Sequence, residues 1–501
     1  MITLVEIESI VSVEHTNLYR ISLKSVTWLI LAIIIIMSAL FSVLQLPPAF
    51  GDFKIDMYFH SIGIGIGALA SCLVISIFEL DKHEPAIDFP IHYRAFIAVI
   101  LGAISSLFYL VPGLNDNLPD VAVAILIIAL VLLADVGGAL FIEMFELPRK
   151  LNGTFNPKGN YIALMIPLSK KDWGSYKKMK ITYWLTLFAI GSAFIAGMIG
   201  FVNLWVLIFG ASFFTPYINI LGIGASDFLG ATLDPHSHMM GLALMAGVVG
   251  LVAQQFHALE LEDWKKTVVR LGLWISFVGV IAMTLVLGYA AAANWGPPTL
   301  FTSGQANGIA SDDLSMSIIG FGALIALVPL ALTKLGETGK ESWKDPIRIG
   351  VLLTWICALF LNIVEGFYIE LNEDTFASTL VSNDGVYSAI QPLFGIFLLT
   401  VTSIFLLAAD YYQVSKAFRM VIGWLSVLGL IVSTLGASFW IFFNPTTGGI
   451  GTIIYYLGLL IIGLSGIATI VFIFSVKATS MKRTITKDSA EEKLEKFITT
   501  D

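Results

Sequence analysis

The chain has 501 residues, of which 57% are hydrophobic and 13% charged, with a formal net charge of −8 and a mean hydropathy of +0.86. A soluble domain is about one-quarter charged and about half apolar, so in water this chain would expose apolar surface far beyond what a soluble monomer carries. That excludes nucleic-acid-binding proteins, secreted disulfide scaffolds and ordinary soluble enzymes, and leaves an all-α polytopic membrane protein whose first partner is the lipid bilayer.

Residues 1–24 are polar and mixed, with no apolar core leading to a small-residue cleavage site. They read as a cytoplasmic N-terminal segment, not as a cleavable signal peptide. About twenty apolar residues in helix cross a bilayer. On that measure twelve spans follow, at 25–46, 57–79, 93–112, 119–147, 181–204, 236–256, 269–292, 314–334, 347–368, 387–408, 419–442 and 452–476. They form a single membrane domain over 25–476, and the mixed-charge stretch 477–501 reads as a cytoplasmic tail. Cys72 and Cys357 both fall inside apolar runs and are expected to be buried, reduced and inert.

Lysine and arginine favour the cytoplasmic side of a bilayer. With the N-terminus inside, every one of the 28 basic residues except Lys54 falls on the inner side, including the eight in the loop 148–180. One miscounted span would invert all later loops and destroy this asymmetry, so an N-in, C-in arrangement in the plasma membrane is expected. The same parity governs residues 181–226, which carry no charge and are long enough for two spans. Two spans there would place the Lys265 cluster outside. The segment 205–235, with Pro216, Gly222, Gly224 and Gly230, is therefore expected to re-enter from the outer side or to lie along it. Irregular backbone at membrane depth is tolerated where protein covers it or it lines a cavity. No clear internal repeat is evident.

Three of the seven histidines, His60, His236 and His238, lie near the outer starts of spans two and six, at a common depth. An ionisable side chain in a bilayer is costly and is a functional candidate by default. Residues two apart on a helix project about 200° apart, so His236 and His238 serve two neighbouring sites and not one. One of them can pair with His60, and a bis-imidazole pair from two helices suits haem iron. Gly63, Gly65 and Gly67 below His60 leave room for a flat macrocycle or for a neighbouring helix. If span six starts irregularly, the three histidines with Met57, Met239 or Met240 nearby also suit a copper site. The plainer alternative is that the histidines hydrogen-bond neighbouring helices, or lie at the interface with Pro235 in the first turn of span six and Asp234 near its N-cap. Among carboxylates, Asp135 in mid-span four and Glu365 in span nine are candidates for a proton or ion relay. Glu143 and Glu146 close span four on the inner side and need no special role.

The span plan, the histidine near the outer end of span two and the segment HSHMMGLALMAGVVG together resemble the catalytic subunit of the haem-copper oxidase superfamily, which includes the nitric oxide reductases. The resemblance implies a respiratory electron-transfer subunit, partner subunits in a membrane complex, and a haem of b type held axially by His60 and His238, with His236 facing a second site. The family places its His-x-His pair on span ten and a copper-binding histidine on span six, so His236 or His238 can also correspond to that copper ligand. The adjacent histidine pair expected after span seven is missing, and span ten has no histidine. A complete oxygen-reducing haem–copper centre is therefore not expected. The competing class is a secondary transporter, in which Asp135 and Glu365 couple ion movement and the histidines are structural.

Overall fold

The structure is a computed structural model that describes residues 29, 32–33, 35–36, 39, 89–110, 119–151, 168–209, 225–261, 263–294, 317–329, 345–359, 399–411, 415–443 and 449–475. All the described elements are helical. In chain order they are α1 (Phe89–Leu110), α2 (Pro119–Leu151), α3 (Lys170–Tyr176), α4 (Ile181–Phe209) and α5 (Ala225–Gln255). After a single turn of 3-10 helix at Ala258–Glu260 come α6 (Asp263–Asn294), α7 (Ser317–Pro329), α8 (Pro346–Leu359), α9 (Leu399–Tyr411), α10 (Lys416–Phe443) and α11 (Ile450–Ser475).

Five of these helices contain stretches long and apolar enough to cross a membrane, at Ala124–Arg149, Ile181–Gly200, Asp263–Val286, Lys416–Trp440 and Ile450–Phe472. Their outward faces are apolar as well. Leu271, Val278 and Leu285 on α6, and Ile453, Leu457, Leu460, Leu464, Ile467 and Val471 on α11, form rows at helical spacing that the bundle leaves exposed. Apolar rows on this scale are compatible with lipid and not with water. The chain is a helical membrane protein. Helix is also the form that satisfies every backbone N–H and C=O within the segment, as lipid demands.

Ten of the expected spans fall on α1, α2 and α4 to α11, of which 347–368 and 387–408 are described only over 346–359 and 399–411. The span 25–46 is described at scattered helical positions, and 57–79 lies outside the described residues. Both ends of the segment 205–235 are helical, which corrects the reading of Gly230 as irregular backbone and of Pro235 as the start of span six. α4 continues to Phe209, and α5 begins at Ala225, so Gly230 and Pro235 stand inside a helix; residues 210–224 lie outside the described residues. Helix-breaking residues are tolerated where neighbouring helices satisfy the freed backbone groups. Asp234 and Pro235 therefore do not open α5, and His236 and His238 are not in its first turn.

Packing within the bundle relies on small residues. On α6, Gly272, Ser276 and Gly279 face Ala326, Gly322 and Ile319 of α7; on α10, Gly429, Ser433 and Gly436 face Ile462, Gly458 and Tyr455 of α11. In both hairpins a Cβ on these glycines would run into backbone of the opposite helix, which is how small residues let membrane helices approach closely. The two sets have the same spacing on both helices, so α6–α7 and α10–α11 pack in one register. Such a repeat was not evident in the sequence. The bundle also connects the ends of the chain, because Gly466 and Gly463 of α11 lie against Ala32, Ile36 and Ala39 of the first span.

One end of the bundle gathers the C-terminal ends of α2 and α5 and the N-terminal ends of α4, α6, α8 and α10. Gly250 near the end of α5 packs on Thr182 and Leu185 at the start of α4. Phe256, just past α5, lies 5.8 Å under the Arg348 guanidinium. Asp345 caps α8 by accepting the Ile347 N–H at 3.1 Å, and it also accepts two hydrogen bonds from Arg419 Nε at 3.0 and 3.1 Å. This end carries Arg149, Lys170, Lys171, Lys177, Lys178, Lys180, Lys265, Lys266, Arg348, Lys416 and Arg419.

Candidate functional site

Of the histidines singled out by the sequence, His60 lies outside the described residues, as do Glu365 and Cys72. His236 and His238 stand on α5, which is continuous helix from Ala225 to Gln255. Regular helix turns the two positions about 200° apart. Immediately below them α5 is enclosed: Met239, Met240, Ala243, Leu244, Val248, Val249 and Val252 are all buried. A helix buried on every side is a core helix of its bundle. Its close contact with Leu185 and Thr186 of α4 at Gly250 leaves the lower part of α5 filled by protein. Any group held by these histidines therefore sits at their level or toward the N-terminal end of α5. Among the described residues no three His, Cys, Asp or Glu side chains converge as metal ligands.

Asp135 is placed with a partner that the sequence did not reveal. The Arg94 guanidinium of α1 donates to its carboxylate across the α1–α2 contact. Asp135 is nine residues above the Met144 level on α2, where α2 meets the start of α4, which at 1.5 Å per residue is about 14 Å into the bundle. Arg94, five residues into α1, reaches Asp135 from near the N-terminal end of its helix. Pairing is the condition under which two such charges persist there. A cation bound at Asp135 would have to displace a guanidinium.

A second polar cluster, at the junction of α2, α3 and α4, was missed. Pro148 stands in the last turns of α2 and has no N–H to give to the Met144 carbonyl, which its ring also crowds. The Tyr183 hydroxyl of α4 supplies the missing donor, at 2.8 Å. The Tyr176 hydroxyl of α3 donates to the next carbonyl, Phe145. Around these two bonds, Glu146 and Arg149 are buried, Glu143 nearly so, and Arg149 Nε lies 3.8 Å from the buried Asp172 carboxylate of α3. Asp172 has a further role. Its carboxylate accepts the Ser169 N–H at 2.8 Å, and the Ser169 hydroxyl accepts the Asp172 N–H at 3.2 Å. This reciprocal capping box starts α3. Burial pushes the Tyr176 hydroxyl well above its ordinary pKa; Arg149 pulls against this, and Asp172 and Glu146 add to it. Glu143 and Glu146 are therefore not a solvated helix end. The Ser169–Asp172 spacing was the sequence signal available for this junction.

The His257 side chain, at the left-handed start of the 3-10 turn, pairs with Glu260 at 3.1 Å and is exposed. Cys357 is buried, as expected from its apolar run.

No protein-family model, curated protein or solved structure matches the chain.

Proposed function

We propose that the chain is a twelve-span, N-in and C-in subunit of a respiratory electron-transfer complex in the plasma membrane, holding a haem of b type between His60 and His238. The observation that carries this reading is the continuity of α5 through both histidine positions. It sets the two positions about 200° apart on one helix, which supports a site in which one imidazole of α5 pairs with an imidazole of another helix. The donor chemistry fits, since neutral imidazole nitrogen suits iron. When bound, such a group supplies one-electron transfer. The chain's own part is to present one nitrogen from each of two helices and to keep water from the enclosed lower half of α5. His236, about 200° away around α5, is left for a second site, and its imidazole suits copper. The gathering of basic residues at one end of the bundle supports that end as the cytoplasmic one.

A reduced-minus-oxidised absorption spectrum of the purified chain tests the reading. A b-type signal is expected, lost or altered in His60→Ala and in His238→Ala and retained in His257→Ala. A colourless protein would sink it and leave the secondary-transporter alternative, for which Glu365 is the remaining carboxylate once Asp135 is taken up by Arg94.

A further inference from the structure

We propose that α3 and the lysines around it form a binding surface for the phosphate headgroups of anionic phospholipids, at the rim where the lipid-facing wall of α4 and α6 ends. The proposal stands apart from the haem reading and requires only that the bundle crosses a bilayer.

Charge is the first observation. Lys170, Lys171, Lys177, Lys178 and Lys180 are all exposed, and across residues 152–184 the single acidic side chain is Asp172. That carboxylate is buried, directed to Ser169 and Arg149, and does not offset the lysines outside. The surface is also held in place. The Arg149–Asp172 pair and the Tyr176 hydroxyl, which donates to the Phe145 carbonyl of α2, fix α3 to the bundle, and the capping box holds its first turn. A headgroup therefore meets an arranged set of ammonium groups and not a loose loop.

The second observation identifies lipid as the occupant. Trp173 of α3 is 52% exposed and stands at the head of a continuous run of aromatic rings. It lies 6.2 Å from Tyr176, which lies 5.8 Å from Trp184; Phe188 follows at 6.4 Å, Phe277 of α6 at 5.1 Å and Trp274 at 5.5 Å. Phe188 and Trp274 belong to the exposed apolar wall of α4 and α6. Ring contacts through the buried Tyr176 thus tie the exposed Trp173 to the acyl-chain surface, and the exposed lysines flank Trp173 in the chain. Indole rings favour the headgroup level of a bilayer, and clusters of four to eight basic residues beside a membrane helix attract anionic lipid. A soluble acidic partner would account for the lysines but not for an exposed indole among them that ring contacts tie to the lipid face.

The test uses the full chain in detergent, incubated with equimolar phosphatidylglycerol and phosphatidylcholine and read by native mass spectrometry. Phosphatidylglycerol adducts should exceed phosphatidylcholine adducts, and 0.5 M salt should remove most of the excess. A variant with the five lysines changed to glutamine should lose at least about tenfold of the preference. Because that variant carries several changes, a second measurement uses the native lysines. Tryptophan fluorescence of the wild type, minus that of Trp173→Phe, should be quenched by lipid brominated near the headgroup end of its chains. Equal occupancy by the two lipids, an unchanged preference in the glutamine variant, or a Trp173 signal untouched by brominated lipid would each overturn the proposal.

Discussion

Removing the Tyr183 hydroxyl is the sharpest probe of the α2–α4 junction. In Tyr183→Phe the ring remains, with its edge-on contact to Trp184 at 5.4 Å, and only the donor to the Met144 carbonyl is lost. That carbonyl is buried and has no helical donor, because Pro148 lacks an N–H. A net hydrogen bond is worth about 1 kcal/mol, and a buried acceptor left unsatisfied costs about 1–3 kcal/mol. The expected loss is therefore about 1–3 kcal/mol, roughly a 5- to 150-fold change in the folded-to-unfolded ratio. Pro148→Ala supplies the background that isolates the cause. It restores an N–H aimed at Met144, so Tyr183→Phe should cost much less there. The two changes should couple by about 0.5–3 kcal/mol in a double-mutant cycle. Reversible unfolding of the four proteins in mixed detergent measures the cycle. If Tyr183→Phe costs the same in the wild type and in the Pro148→Ala background, the hydroxyl is not replacing the missing amide and the argument fails.

Other perturbations follow from the same geometry. Arg94→Gln should destabilise the chain more than the double variant Arg94→Gln, Asp135→Asn, because a lone intramembrane carboxylate is worse than a neutral pair; equal losses in thermal unfolding would count against the pair. Tyr176 has its hydroxyl held protonated by burial, and an unfolded tyrosine ionises near about pH 10. Its contribution is therefore whole below about pH 10 and declines as pH rises above it. Tyr176→Phe should flatten that alkaline decline in stability, and an unchanged slope would remove Tyr176 as its source. Cysteines introduced singly at residues 305 and 376 should react with a membrane-impermeant reagent from outside, and one at residue 175 should not; the reverse pattern would invert the proposed orientation.

Much of the bundle is legible in the sequence because lipid imposes a length and a composition that few other contexts demand. The ends of α4 and α5 were not legible. Gly222, Gly224, Gly230 and Pro235 read as irregular backbone by the preferences that operate in water. Inside a packed bundle, backbone satisfaction outweighs those preferences, and α5 runs through Gly230 and Pro235. The Arg94–Asp135 pair could not be read at all, since residues 41 apart meet only through the α1–α2 packing. Glu146 and Arg149 resemble an ordinary charged helix end until α3 folds back over them. Among the candidate residues, Asp135 stands midway along α2 and its partner was missed, and the angle between positions 236 and 238 follows from helix geometry alone.

The repeated packing explains why no repeat was visible along the chain. α6 ends at Asn294 and α7 begins at Ser317, whereas α10 ends at Phe443 and α11 begins at Ile450, so no single period aligns both hairpins. What recurs is the set of positions where two helices touch. Gly272, Ser276 and Gly279 have the spacing of Gly429, Ser433 and Gly436, and the buried Ala98, Gly102 and Ser105 of α1 repeat it. On the opposite helices, Ile319, Gly322 and Ala326 match Tyr455, Gly458 and Ile462, and the buried Leu126, Ala129 and Leu133 of α2 repeat that spacing in turn. In each of the three hairpins the middle residue of the second helix is small. In α6–α7 and α10–α11 the constraint falls on these positions because backbone meets backbone there, and a side chain would separate the helices along their whole length. The connecting loops carry no such constraint. Their lengths drift while the contact register stays, and a search for period alone sees the loops and misses the contacts.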